Sequence, residues 1–342
     1  MGGWHGGCHG GASARPTYPS LVSSAAGELR LDPAAAPAPD PAAEPAGFVV
    51  LVEPNDRIHF LDWGEPAADH AAAGVLLIHG LASSAWVWAP VARRLCAAAR
   101  AVALDLRGHG LSDAPTTGYD RDMLAADAIA VAEGSGLIDA GRVVLAGHGF
   151  GAIVAAWTAV ALGGRCGGVV LVDGGWEDLR ESTGLEPDEF VRTLDEPPEV
   201  LRSMSAYLAD REAFDPATWD ADQVRAARAA VVELPAGRVV SSSRPHAVAG
   251  SVAAMFDYRP VEVLAAIDAP IVALMAAEDE VGERGRTLAE VVTAVVARGG
   301  RTIDVARFPH DGHNLARYRP AEVTAAILGV ATAARQAPRS RG

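Results

Sequence analysis

Val143-Val144-Leu145-Ala146-Gly147-His148-Gly149-Phe150-Gly151-Ala152 is the stretch on which the fold turns. Its apolar run, Val143 to Ala146, stops at a corner with glycine at every second position. Behind the corner, Ala152-Ile153-Val154-Ala155-Ala156-Trp157 reads as a buried helix. A strand covered on both faces is continuously apolar, not alternating. The stretch therefore predicts a buried strand, a sharp turn and a helix in direct succession. Glycine at 149 suits a turn of positive φ, because it carries no Cβ to be strained there.

The same alternation runs outward from this corner. Gly47 to Val52 and Ile58 to Trp63 read as strands joined by a turn at Asn55-Asp56. Val75 to Ile78, Ala101 to Asp105 and Gly168 to Asp173 are further buried strands, with helices over Trp86 to Ala98 and Asp122 to Glu133. Towards the C-terminus come strand Ile271 to Met275, helix Gly285 to Arg298, strand Thr302 to Phe308 and helix Pro320 to Arg335. Strands alternating with helices predict an α/β fold with a mainly parallel sheet and helices on both faces. Between Trp176 and Asp257 strand signals vanish and short amphipathic helices are broken by prolines. That segment reads as a helical insertion over the mouth of the sheet. Residues 1–46, rich in Ala, Pro and Gly, are expected to lack stable structure, as is the C-terminal tail 336–342. The core is then 47–175 with 258–335, and the insertion 176–257.

Composition narrows the function. The chain has 342 residues, 50% of them hydrophobic and 21% charged, enough for a large core. All 29 basic residues are arginine, and the net charge is −14. A nucleic-acid partner needs a basic footprint and an anionic membrane surface needs basic clusters, so neither is expected. Three separated cysteines, Cys8, Cys96 and Cys166, suit a reducing cytoplasm better than a disulfide framework. There is no basic start followed by an apolar stretch, so no secretory signal is expected. There is no Cys-x-x-Cys, and the His5-Gly6-Gly7-Cys8-His9 stretch sits in the glycine-rich N-terminal segment and reads as solvated tail, so no metal and no cofactor are expected. A small-molecule substrate remains.

Four pieces follow one another along the chain: His79-Gly80, Asp105-Leu106-Arg107-Gly108-His109-Gly110-Leu111-Ser112-Asp113, Gly147-His148-Gly149-Phe150-Gly151, and Gly312-His313-Asn314-Leu315. Together they resemble the α/β-hydrolase family over roughly residues 47 to 335. The resemblance implies an eight-stranded sheet, a lid after the sixth strand and a site at the carboxyl ends of the strands. The family's nucleophile elbow is written Gly-x-Ser-x-Gly, followed in chain order by an acid and a histidine. Here the flanking glycines stand and Gly149 occupies the serine's place.

The resemblance places the histidine at His313, with His310 as rival, and the acid after strand Ile271 to Met275 at Asp279, with its neighbours Glu278 and Glu280 as rivals. Asp173 is a second candidate acid or a turn cap. Oxyanion donors are expected at the backbone N–H groups of Leu81 and Phe150. Gly80, Ser84 (beside Ser83), His148 and Trp176 are candidates for the substrate pocket, and Asp105, Arg107 and His109 for the structure of their turn. Without serine no acyl-enzyme forms through position 149. An Asp279–His313 general base acting on a carbonyl substrate such as an ester or lactone, through a bound water, is the leading expectation. A lyase, isomerase or cyclase using the same base, and a binding protein that turns nothing over, are the alternatives.

Overall fold

The computed structural model of the chain describes residues 28–66, 72–138, 141–194, 203–276 and 282–336. Its strands are β1 (Ala46–Val52), β2 (Asp56–Asp62), β3 (Val75–Ile78), β4 (Ala101–Leu104), β5 (Val143–His148), β6 (Cys166–Val172), β7 (Val231–Glu233), β8 (Val239–Ser241), β9 (Ile271–Ala276) and β10 (Ile303–Phe308). Eight of them form one sheet in the order β1-β2-β4-β3-β5-β6-β9-β10. β2 pairs antiparallel with β1 and with β4. The pairs β3–β4, β3–β5, β5–β6, β6–β9 and β9–β10 are parallel.

The helices are α1 (Ala89–Leu95), α2 (Arg121–Gly134), α3 (Phe150–Leu162), α4 (Leu179–Thr183), α5 (Pro187–Leu194), α6 (Met204–Phe214), α7 (Ala221–Ala229), α8 (Pro245–Asp257), α9 (Pro260–Ala265), α10 (Glu283–Ala297), α11 (Leu315–Tyr318) and α12 (Pro320–Gln336). Successive strand side chains point to opposite faces, and each face has its own core. Leu145, Leu171 and Met275 pack under α2, α3 and α10 on one side. Val144, Val172 and Leu274 pack under α1 and α12 on the other. Burial on both faces is why these strands read as unbroken apolar runs.

β3 lies between β4 and β5, so the chain leaves it in opposite directions. Such a reversal opens a crevice at the carboxyl ends of the strands. Gly80, Gly149, Asp173 and His313 all come from loops at that end, after β3, β5, β6 and β10 respectively.

Two expectations need correction. The segment 176–257 is not wholly helical: β7 and β8 form a hairpin, paired from Val231↔Ser241 to Glu233↔Val239. Two β-branched pairs flank a turn closed by Leu234 N–H to Arg238 O at 2.7 Å, with Gly237 at φ 75°. A three-residue strand is too short for alternation to be seen. Residues 28–45 are not an unstructured tail either. Leu29 is buried and its N–H donates to Val305 O at 2.7 Å. Buried Arg93 donates to Pro41 O (3.0 Å), Ala43 O (2.5 Å) and Glu44 Oε1 (2.7 Å), and its Nε to Asp222 Oδ2 (3.1 Å). A buried guanidinium needs acceptors, and this segment supplies most of them. Residues 1–27, 195–202 and 337–342 lie outside the described residues. A chain starting at Ala46 should therefore lose on the order of 3 kcal/mol of stability, from the unburied Leu29 and the stranded Arg93. Denaturant unfolding checks this, and an unchanged midpoint would contradict it.

Candidate active site

The corner after β5 is built by backbone packing. Gly149 has φ 53° and ψ −116°. A Cβ on Gly147 would stand 2.1 Å from Gly151 O, and one on Gly151 would stand 2.2 Å from Ile78 O. Neither position admits a side chain. A Cβ on Gly174 would come within 2.8 Å of the Gly149 backbone. At Gly149 itself the fit is tight but not closed: the His313 ring would have to give by a few tenths of an ångström, and a Cβ would be strained by the positive φ. An ideal Cβ there would lie 3.3 Å from His313 Nε2 and 3.5 Å from Cε1. The imidazole thus stands over the position the missing side chain would fill.

His313 is oriented from behind. Its Nδ1 meets Asp173 Oδ2 at 2.5 Å. That bond fixes the proton on Nδ1 and leaves the Nε2 lone pair facing Gly149. Asp173 directly follows β6 and is held at φ 47°, an unusual conformation for a residue with a side chain. Its backbone N–H donates to Leu274 O at 2.8 Å. Its Oδ1 accepts from Ala276 N at 2.8 Å and from Arg284 Nη2 at 3.1 Å. Burial pushes the Asp173 carboxyl up, but the hydrogen bond from His313 and the Arg284 charge outweigh it and hold the group below the usual carboxylate range. The carboxylate partner of His313 is therefore Asp173. Asp279, the residue suggested by the family's frame, lies outside the described residues.

The loop after β3 is fixed by a buried neutral histidine. His79 Nδ1 donates to Gly80 O at 2.7 Å, and its Nε2 accepts from Leu106 N at 3.0 Å. Burial lowers the His79 pKa, against the pull of Asp105. Asp105 is itself held by Ala85 N (2.7 Å), Leu111 N (3.0 Å) and His59 Nδ1 (2.8 Å). Arg107 forms a buried two-point pair with Asp127 at 2.6 and 2.7 Å. These groups serve the turn, as read from the sequence.

Gly80, Leu81, His148, Gly149, Phe150 and His313 all line one cavity of about 500 Å³. Among the described residues, neither the Leu81 nor the Phe150 N–H has a hydrogen-bond partner. Phe150 opens α3, so its N–H sits at the positive end of a helix dipole. His148 lies tilted beside His313, with ring centres 4.4 Å apart and planes at 45°, and donates from Nε2 to His313 O at 3.0 Å. Two expected pocket residues are elsewhere. Ser84 is buried and Ser83 lines the cavity in its place. Trp176 is buried in the core beneath the Arg284 guanidinium, 5.8 Å from its ring centre. Its large apolar ring gains more by burial than by facing the cavity.

Two charged cavity residues were missed from sequence, Glu177 and Arg284. A signal existed for Arg284: an arginine in the first turn of a helix opposes the dipole and needs a local reason. Among the described residues, no group of three or more His, Cys, Asp or Glu is placed to hold a metal ion.

The model of the alpha/beta hydrolase family matches residues 75–327. The 2-(acetamidomethylene)succinate hydrolase of Mesorhizobium japonicum is 33% identical over 156 residues, 44% of this chain and 52% of that protein. The non-heme chloroperoxidase of Streptomyces lividans is 36% identical over 125 residues, 36% of this chain and 43% of that protein. The chain thus spans about half, or less, of the length of these curated relatives. Among solved structures, E-2-(acetamidomethylene)succinate hydrolase superposes with a TM-score of 0.64 at 20% identity, over 83% of this chain and 97% of that one. The thioesterase domain from the curacin biosynthetic pathway gives 0.63 at 20% identity, over 83% and 99%. At this identity the two structures speak to the fold alone.

The buried histidines make stability depend on pH. Burial, reinforced by neighbouring histidines, pushes His148 and His109 down to about 4 from the usual 6.5. The unfolded chain then binds these protons first. Stability should be full above pH 6.5 and fall as the pH drops from 6.5 towards 4, by on the order of 3 kcal/mol per histidine. Melting temperatures across that range check the sign, and a flat profile would contradict it.

Proposed function

The chain belongs to the alpha/beta hydrolase family, and from that premise we propose that it hydrolyses a small, largely apolar carbonyl compound, an ester or lactone, without a covalent intermediate. A water stands in for the seryl hydroxyl. Replacing serine by glycine leaves about the 30 Å³ that one water occupies. His313 Nε2 takes a proton from that water as its oxygen bonds to the carbonyl carbon. The oxyanion that forms is met by the N–H groups of Phe150 and Leu81, which depend on backbone shape and not on serine. Collapse breaks the bond to the leaving oxygen, and His313 returns its proton there. Asp173 stays ionised throughout and steadies the imidazolium. The segment 176–257 serves as the lid: Leu179, Phe190, Leu194 and Met255 from it line the cavity.

One observation carries this reading. An Asp173–His313 pair at 2.5 Å, with its Nε2 over Gly149, is present although the serine it would serve is absent. Asp173 stays in a strained conformation and in contact with an arginine to do so. Strain of this kind, on the order of 1–3 kcal/mol, persists where the surroundings over-determine it, and it gathers at functional sites.

Hydrolysis of a panel of activated esters and lactones tests the proposal. His313→Ala should lower kcat/KM by about 10²–10⁴, the usual share of a general base. Asp173→Asn should fall in the same range, and Asp279→Asn should change it little. If His313→Ala matches the parent on every substrate, the general-base reading fails. Gly149→Ser should fold with a loss of about 1–3 kcal/mol, since a side chain must take the positive φ. It should also gain a burst with p-nitrophenyl acetate and covalent labelling by a fluorophosphonate, because the new hydroxyl lies beside a ready base. A folded Gly149→Ser protein showing neither would replace the enzyme with a binding protein.

A further inference from the structure

Glu177 stands four residues past Asp173, at the far side of the same arginine. Arg284 Nε and Nη2 both donate to Glu177 Oε1, at 3.1 and 3.0 Å. Arg284 Nη2 also reaches Asp173 Oδ1 at 3.1 Å, so the two carboxylate oxygens lie within about 6 Å of each other. Arg284 Nη1 is taken by Ala276 O at 2.8 Å. The second oxygen of Glu177, Oε2, has no hydrogen-bond partner among the described residues. It is not among the fully buried polar atoms either, and the side chain keeps 22% of its exposure. Glu177 lines the cavity beside Leu179, Phe190, Leu194 and Met255. Apolar neighbours thin the water around a partly buried carboxylate oxygen, and a donor that reaches it restores what is lost. Burial accordingly raises the Glu177 pKa, against the opposing pull of Arg284.

The charges point the same way. Among the described residues lining the cavity, Asp173 and Glu177 bring two negative charges and Arg284 one positive. Arg284 is engaged by both carboxylates and by a carbonyl, so it does not serve as the anchor for a substrate anion. An incoming carboxylate would meet net negative charge. An incoming hydroxyl or N–H would complete Oε2.

Resting on the hydrolase reading above, we propose that Glu177 Oε2 is the specificity-determining acceptor of this site. The substrate is then a carbonyl compound carrying a hydrogen-bond donor, not a carboxylate, beyond its reacting carbon.

Ketones bind such a site but are not hydrolysed, so recognition is measured apart from turnover. Three methyl ketones of equal chain length, ending in hydroxyl, methyl and carboxylate, are titrated calorimetrically into the full chain and into Glu177→Gln. In the parent the hydroxyl ketone should bind about tenfold tighter than the methyl one, as expected for a hydrogen bond to a charged group, and the carboxylate ketone weakest. Glu177→Gln keeps an oxygen for Arg284 but turns an amide N–H towards the cavity. It should shrink the hydroxyl preference and strengthen carboxylate binding about tenfold. An unchanged ranking between parent and Glu177→Gln overturns the proposal and leaves Glu177 as a mere partner of Arg284. Glu177→Ala, checked for folding by its melting temperature, should abolish the hydroxyl preference; retaining it also overturns the proposal. A parent that prefers the hydroxyl ketone but hydrolyses no ester would uphold this inference and sink the hydrolase reading.

Discussion

The contact between Asp173 and His313 is the interaction on which the site depends. It joins the end of β6 to a loop after β10, two strands that do not touch, across the intervening β9. β9 takes part through Ala276 N, and the helix behind it through Arg284. Three consecutive strands and one helix start must therefore be in register before the imidazole is aimed. Because Nδ1 is engaged, the Nε2 lone pair is left facing Gly149, and because the pair is braced from behind, the ring needs little reorganisation to keep that aim. His148 fixes the other end of the loop by donating to the His313 carbonyl.

The second constraint is the crowding of backbone around position 149. Gly147 and Gly151 are excluded from having side chains by atoms closer than 2.5 Å, and Gly174 presses on the corner from the β6 side. The corner therefore holds its shape whatever stands at 149. Glycine there relieves the strain of positive φ and removes the hydroxyl in one change. The imidazole and the two N–H groups hold their places because none of them depends on a side chain at 149.

What was legible in the sequence follows from this physics. Gly147 and Gly151 were readable because backbone contacts forbid alternatives. The buried strands were readable because both faces are covered. His313, Leu81 and Phe150 were placed by short local motifs, and the cavity gathers all three. The acid was harder, since Asp173 and Asp279 each follow a strand that ends beside the site. A one-dimensional motif does not say which carboxylate the imidazole meets. Glu177 and Arg284 were hidden because their partners are more than a hundred residues apart in sequence. Residues 28–45 were misread for a related reason. Their Ala- and Pro-rich composition suggests a solvated tail, but the demand of Arg93 for acceptors, made from a different helix, orders them.

The aim of the His313 ring rests on Asp173 holding its Nδ1 proton. The most direct measurement is proton NMR of the far-downfield imidazole N–H resonances across pH. One such resonance is expected from the His313 Nδ1 proton, lost in His313→Ala and in Asp173→Asn and retained in Asp279→Asn. A resonance that survives Asp173→Asn but disappears in Asp279→Asn would contradict it.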